Sequence, residues 1–166
     1  HLRHKWDVWA VATVQEEETM GGGFTSPFEI KPDIAVAVDV TFASGPGASD
    51  WRTFSLDKGP TLVWGPNIHP YVYKTFLDVA EKLEIPVQKE VAPRHTGTDA
   101  YAMQVVAGGF PTLVIGIPLR YMHTPVEMIT LKDMERAGRL MAETIVRLEE
   151  DFMNKLNWDE VKNAEV

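Results

Sequence analysis

Apolar runs alternate with amphipathic stretches along this chain, and this alternation limits the folds open to it. Five segments have the composition of strands: Trp6–Val14, Ile34–Val40, Thr61–Trp64, Val87–Val91 and Thr112–Ile117. The first, second and last are almost continuously apolar, which predicts strands covered on both faces, whereas Val87–Val91 alternates like an edge strand. Helical patterns follow three capping positions: Pro70, Thr98 and Thr130. We therefore expect an α/β protein, a three-layer α/β/α sandwich with a mixed, mostly parallel sheet.

Length and composition exclude several classes of protein. The 166 residues predict one domain, which we assign to residues 1–150, followed by a charged C-terminal tail at 151–166. The net charge of −8 and the lack of a basic cluster argue against nucleic-acid and anionic-membrane partners. Without cysteine, any metal must be held by His, Asp or Glu. No apolar run approaches the roughly 20 residues of a membrane span, so we expect a soluble, cytoplasmic protein.

Three polar features follow the predicted strands. Glu16–Glu18 comes after the first strand, Asp39 ends the second, and His123 follows the last by a few residues. Taken singly, each is typical of a solvated turn, a cap or a loop. Functional groups of open α/β sheets gather at the carboxyl ends of strands, however, and two carboxylates with an imidazole suit zinc, cobalt or manganese. The set therefore predicts metal-assisted hydrolysis, with the cleaved bond left open.

The adjacent acids Glu16 and Glu17 allow a division of roles. In an extended segment, neighbouring side chains point in opposite directions, so one can bind metal while the other faces a water molecule. Further along, Gly21–Gly23 lacks the Lys-Ser/Thr ending of a phosphate-binding loop and predicts a mobile loop.

Four motifs together resemble a known family. They are Thr13-Val14-Gln15-Glu16-Glu17, Lys31-Pro32-Asp33-Ile34-Ala35 with Val38-Asp39-Val40-Thr41, Gly97-Thr98-Asp99-Ala100, and Arg120-Tyr121-Met122-His123-Thr124-Pro125. In this order they resemble the M42 metallo-aminopeptidases, which include glutamyl and large tetrahedral aminopeptidases. The similarity runs from about Lys5 to about Leu148.

The resemblance implies a three-layer catalytic domain with two metal ions, usually zinc or cobalt, that removes N-terminal amino acids from peptides. It implies that Glu16 is the general base and that Glu17, Asp39 and His123 are metal ligands. Four more residues are candidates for the peptide-binding pocket, with capping or supporting roles equally open: Thr98, Asp99, Arg120 and Tyr121.

The chain also departs from the family pattern. The family's first metal-binding His and its bridging Asp belong to segments that precede the Gln-Glu-Glu motif, and this sequence has neither. We therefore expect part of a catalytic domain that alone binds one metal ion or none, and that needs a complementing N-terminal chain or a homo-oligomer for activity. Two alternatives remain: a non-catalytic assembly subunit, and an endoglucanase-like glycoside hydrolase in which Glu16 pairs with another carboxylate.

Overall fold

The computed structural model describes residues 3–156, which form an open α/β structure. The strands are β1 (Ala35–Phe42), β2 (Thr61–Trp64), β3 (Gln88–Val91), β4 (Thr112–Arg120) and β5 (Met128–Ile129). The helices are α1 (Glu16–Thr19), α2 (Gly21–Ile30), α3 (Pro70–Lys82), α4 (Asp99–Val105) and α5 (Leu131–Ile145), with a 3₁₀ helix at Phe152–Leu156. No helix within residues 3–156 has the length and apolar character needed to cross a membrane.

The sheet has mixed strand directions, in the order β1-β4-β2-β3. Parallel pairing joins β1 to β4 from Ala35↔Thr112 to Phe42↔Leu119, and it also joins β2 to β3. Antiparallel pairing joins β4 to β2, and β5 to the end of β4. The predicted mixed sheet is confirmed, and β3 lies at an edge as its alternation predicted.

Helices cover both faces of this sheet. On one face, α3 and α5 pack together and against β2 and β4, because apolar residues at helical spacing form a single stripe on α3. On the other face, α4 packs on β1 and β4, and α2 packs on α4. The largest fully buried apolar side chains lie in the central strands and α5: Leu62, Leu113, Ile115 and Leu140. The three-layer prediction is thereby confirmed.

The strand predicted at Trp6–Val14 is wrong. This segment forms no strand ladder within the described residues, and several of its apolar side chains are exposed, Trp9 by 70% and Val14 by 65%. A strand needs a neighbouring backbone to accept and donate its hydrogen bonds, whereas here the Val14 carbonyl accepts from the Gly22 amide in α2. The segment is apolar as predicted, but it is not covered on both faces as a buried strand would be.

The segment after Val14 is also more helical than predicted. Glu16 and Glu17 lie in the single turn α1, so their side chains are not on opposite sides of an extended backbone. Gly21–Gly23, predicted as a mobile loop, forms the first turn of α2. Gly22 is required there, because a Cβ would lie 2.5 Å from the Val14 amide nitrogen.

Residues 152–156 of the predicted tail form the 3₁₀ helix, and two of their side chains, Phe152 and Leu156, are buried in the core. Residues 157–166 of that tail lie outside the described residues. The helix after Thr130 is confirmed as α5. The Thr130 hydroxyl does not accept a hydrogen bond from the backbone of the helix; it donates to Asp133 Oδ2 at 2.6 Å.

Candidate active site

Two predicted site residues from distant parts of the chain are in contact. His123 Nε2 lies 3.2 Å from Oε1 and 3.1 Å from Oε2 of Glu17, which is 106 positions away in sequence. Glu17 belongs to α1, and His123 lies three residues beyond the end of β4, which is longer than predicted. The imidazole and the carboxylate remain largely exposed, so both are accessible to a ligand.

The loop that holds His123 adopts an uncommon backbone conformation. Tyr121 and His123 both have φ near 61°, in the left-handed region that non-glycine residues seldom adopt. The loop is held by hydrogen bonds: the His123 amide donates to Glu127 Oε1 at 2.6 Å, and Thr124 Oγ1 donates to the Tyr121 carbonyl at 2.6 Å. Such conformations cost about 1–3 kcal/mol each and concentrate at functional sites.

Asp39 and Glu16 lie within electrostatic range of this pair. Asp39 is inside β1, opposite Gly116 of β4, with Oδ1 accepting from the Val40 amide at 2.7 Å. Burial raises the pKa of Asp39, and the neighbouring carboxylates of Glu17 and Asp99 raise it further. Burial also raises the pKa of Glu16, as does the nearby Asp39 carboxylate. The site therefore concentrates negative charge around one imidazole.

Asp99 is a buried member of this acidic group. It begins α4, and its Oδ1 has no hydrogen-bond partner in the described structure. Gly23 of α2 packs directly on it, because a Cβ there would meet Oδ1 at 2.3 Å. The preceding Thr98 caps α4 as predicted, accepting from the Ala100 amide at 3.3 Å.

Arg120 and Tyr121 lie beside the site in different environments. Arg120 is buried, and its guanidinium donates to the carbonyls of Ala43 and Pro46 at 3.2 and 2.8 Å. The guanidinium also lies 4.8 Å from the centre of the exposed Tyr121 ring. These contacts fix the loop after β1 against the end of β4, and a role in peptide binding stays a prediction.

The donor set suits a divalent cation. Carboxylate oxygens and an imidazole nitrogen are ligands that zinc and cobalt accept, and Asp99 Oδ1 adds a buried oxygen without a partner. A cation would also neutralise the carboxylates that raise one another's pKa. Within residues 3–156, however, no three His, Asp or Glu side chains are arranged as a metal site, and the direct contact is confined to Glu17 and His123.

A cavity of about 420 Å³ adjoins this cluster and was not predicted as a unit. Three residues that line it, Val40, Thr98 and Met122, each adjoin a site residue in sequence. Its wall includes Glu90 of β3, whose oxygens accept from Thr41 Oγ1 at 3.1 Å and Thr61 Oγ1 at 2.7 Å. Sequence reasoning missed Glu90, although an acid at an inward position of an alternating edge strand could have identified it.

The chain is similar to known proteins in both sequence and structure. The model of the M42 glutamyl aminopeptidase family matches residues 1–140. Lysyl aminopeptidase of Pyrococcus furiosus is 42% identical over 137 residues, which are 82% of this chain and 40% of that protein. A TET aminopeptidase from a marine sediment Thaumarchaeota archaeon superposes with a TM-score of 0.81 at 32% identity, covering 88% of this chain and 42% of that one. For the TET1 peptidase of Pyrococcus horikoshii, described as assembling into a tetrahedron or a large octahedral shell, the TM-score is 0.66 at 29% identity, with 82% and 40% covered.

The fold and the acidic, imidazole-containing cluster define an α/β domain whose side chains suit a divalent cation. This chain belongs to the M42 aminopeptidase family, as its motifs predicted. It spans about 40% of the length of the relatives that it matches.

Proposed function

We propose that this chain forms part of a metal-dependent aminopeptidase that removes N-terminal amino acids from peptides. Family membership supports this function, and the observation that carries it is the contact between Glu17 and His123, which the fold brings together across 106 positions. The names of the relatives include both lysyl and glutamyl aminopeptidases, so these names leave the preferred N-terminal residue open.

The proposed roles follow from chemistry and position. Glu17, Asp39 and His123 would hold divalent metal, zinc or cobalt, with two ions in the complete centre. The metal supplies Lewis acidity at the peptide carbonyl. Glu16, on the same helical turn as Glu17 and partly buried, accepts a proton from the attacking water as general base.

We further propose that the active form is a larger assembly in the cytoplasm, either a homo-oligomer or a complex with a segment that supplies further His and Asp ligands. Exposed apolar side chains support an interface beside the site. Three of them, Val38, Val40 and Phe42, lie on β1, the same strand as Asp39. Trp9 and Val14, in the segment before α1, are also exposed. Exposed apolar side chains on an edge strand are typical of a surface that pairs with another chain.

The test is hydrolysis of aminoacyl p-nitroanilides with added Zn²⁺ or Co²⁺. The chain is assayed alone and co-expressed with the segment of Pyrococcus furiosus lysyl aminopeptidase that it does not match. We expect negligible hydrolysis and little bound metal from the chain alone, and hydrolysis from the co-expressed pair. Full activity of the chain alone would contradict the need for a companion.

The residue roles are tested with matched variants of the co-expressed pair. Glu16→Gln removes the general base and should lower kcat by about 10²–10⁴-fold. Glu18→Gln, a change to an exposed acid in the same turn, should leave kcat unchanged. No hydrolysis from the co-expressed pair, or hydrolysis that Glu16→Gln does not alter, would refute the proposed function.

A further inference from the structure

Glu90 is a half-buried carboxylate without a countercharge. No salt bridge involves Glu90 in the part of the chain that the structure describes, residues 3–156. Its hydrogen bonds come from two neutral hydroxyls, those of Thr41 and Thr61. Burial raises the pKa of the Glu90 carboxyl, and these two hydrogen bonds lower it only in part. A buried carboxylate is costly unless a cation compensates it.

The sheet makes room for this carboxylate at Gly116. A Cβ at that position would lie 2.3 Å from Thr61 Oγ1 and 3.3 Å from Glu90 Oε2. Gly116 also lies opposite Asp39 in the β1–β4 pairing. Glu90 therefore extends from β3 across β2 toward β1, and its carboxylate contacts Thr61 of β2 and Thr41 of β1, the strand of Asp39.

The other ionisable side chains around the cavity do not neutralise Glu90. Arg52 is paired with Asp50 at 3.0 Å and is largely exposed. His95 is exposed, stacks on Tyr101 with ring centres 4.4 Å apart, and contacts the Thr96 carbonyl through Nδ1. The charge of the inner wall is thus negative.

The remaining wall is mainly apolar. It includes aromatic and aliphatic residues of β1, β2, β4 and the loops after β1 and β4: Phe42, Trp51, Phe54, Val63, Val114 and Met122. A volume of about 420 Å³ is within the range of small-molecule sites. A cavity with a mainly apolar wall and one carboxylate fits a long aliphatic side chain that ends in a cationic group.

We propose that this cavity receives the side chain of a peptide's N-terminal residue, and that Glu90 makes it selective for lysine and arginine. The assignment rests on the proposed aminopeptidase function, since only that reaction places an N-terminal residue at the neighbouring cluster. The aliphatic part of the side chain packs on the apolar wall. Its terminal ammonium or guanidinium donates to Glu90, whose oxygens retain lone pairs beyond those that bind Thr41 and Thr61.

Binding to the chain itself tests the cavity without requiring catalysis. Lysinamide and norleucinamide have the same aliphatic chain, but only lysinamide carries the terminal ammonium. Titrated to about 10 mM, tenfold above a millimolar Kd, lysinamide should shift the ¹H–¹⁵N signals of Thr41, Glu90 and Thr96. Norleucinamide should bind roughly 10- to 100-fold more weakly, because it makes no charge-assisted hydrogen bond.

Variants assign the selectivity to Glu90. Glu90→Gln keeps a hydrogen-bonding group for both threonines and should lose the preference for lysinamide. Glu81→Gln, which removes an exposed charge on α3, should keep that preference. An unchanged spectrum away from the cavity verifies that each variant is folded. Equal binding of the two amides, shifts confined to other regions, or an unchanged preference in Glu90→Gln would overturn the proposal.

Hydrolysis separates this inference from the proposed function. In the co-expressed pair, Glu90→Gln should lower kcat/KM for lysyl p-nitroanilide by roughly 10- to 100-fold and leave the norleucyl substrate unchanged. Selective lysinamide binding without hydrolysis of either substrate would refute the aminopeptidase function but retain a cation-selective cavity. Hydrolysis with no preference for lysyl over norleucyl substrate would refute the role of Glu90 alone.

Discussion

Asp133 joins α5 to the loop before β2, and its replacement by asparagine should destabilise the fold strongly. Its side chain is fully buried. Oδ2 accepts from the Asp57 amide at 2.7 Å and from Thr130 Oγ1 at 2.6 Å, and Oδ1 accepts from the Gly59 amide at 2.8 Å and from Arg136 at 3.1 Å. In either orientation, the amide of Asn would turn its NH₂ group toward one backbone N–H.

The cost can be estimated from those hydrogen bonds. One buried donor left without an acceptor costs about 1–3 kcal/mol, and a hydrogen bond involving a charged group contributes about 1.5–3 kcal/mol. Because these effects overlap, we expect Asp133→Asn to lower the free energy of unfolding by about 3 kcal/mol. Urea unfolding followed by circular dichroism measures this as a lower midpoint at constant slope.

The matched control is Asp78→Asn, which removes an exposed carboxylate 2.8 Å from Lys74. It should cost less than about 0.5 kcal/mol. Burial alone would raise the pKa of Asp133, but the hydrogen bonds from Thr130, Asp57, Gly59 and Arg136 lower it overall. Its stabilisation is therefore present above the unfolded pKa of about 3.9 and is lost as pH falls through the folded value. If Asp133→Asn lowers the free energy of unfolding no more than Asp78→Asn does, this reasoning is refuted.

Two further predictions concern Glu90 and Gly138. Because the folded pKa of Glu90 is raised, the native state holds its proton more tightly, and stability falls as pH rises from the unfolded value of about 4.3 through the folded one. The thermal unfolding midpoint of Glu90→Gln, relative to that of the wild type, should therefore be higher at pH 7 than at pH 4. An equal difference in midpoint at both pH values would contradict this prediction. Gly138→Ala fills open space inside α5 and should stabilise the fold by about 1 kcal/mol in urea unfolding, so a loss would contradict the helical placement.

The sequence predicted the buried strands well because burial on both faces leaves a compositional signal. Thr61–Trp64 matches β2 at both ends, and the runs at Ile34 and Thr112 locate β1 and β4, although both strands extend further. Trp6–Val14 has the same signal, yet a strand also needs a partner backbone, which composition does not record.

The buried face of a helix is harder to predict from the sequence when some of its buried side chains are polar. In the sequence, Leu131 and Met134 recur at helical spacing with Met141 and Ile145, a pattern that predicts one buried stripe. In the structure, however, Leu131 and Met134 are 73% and 44% exposed. The buried face instead contains Asp133, Ala137 and Leu140, and Asp133 accepts hydrogen bonds there from the loop before β2. A pattern of hydrophobicity cannot identify an acid that is buried against two backbone amides of a distant loop and two side chains near it in sequence.

The contact between Glu17 and His123 contributes too little stability to explain why the loop that carries His123 adopts its conformation. The two side chains are 70% and 67% exposed, and an ion pair that is exposed to this degree contributes about 0–1 kcal/mol. The left-handed conformation of His123 and Tyr121 costs about 1–3 kcal/mol for each residue. The loop therefore loses more stability through its conformation than this contact returns. Since folding alone does not account for the position of His123, the balance favours a role in binding, next to a cavity that contains the half-buried carboxylate of Glu90.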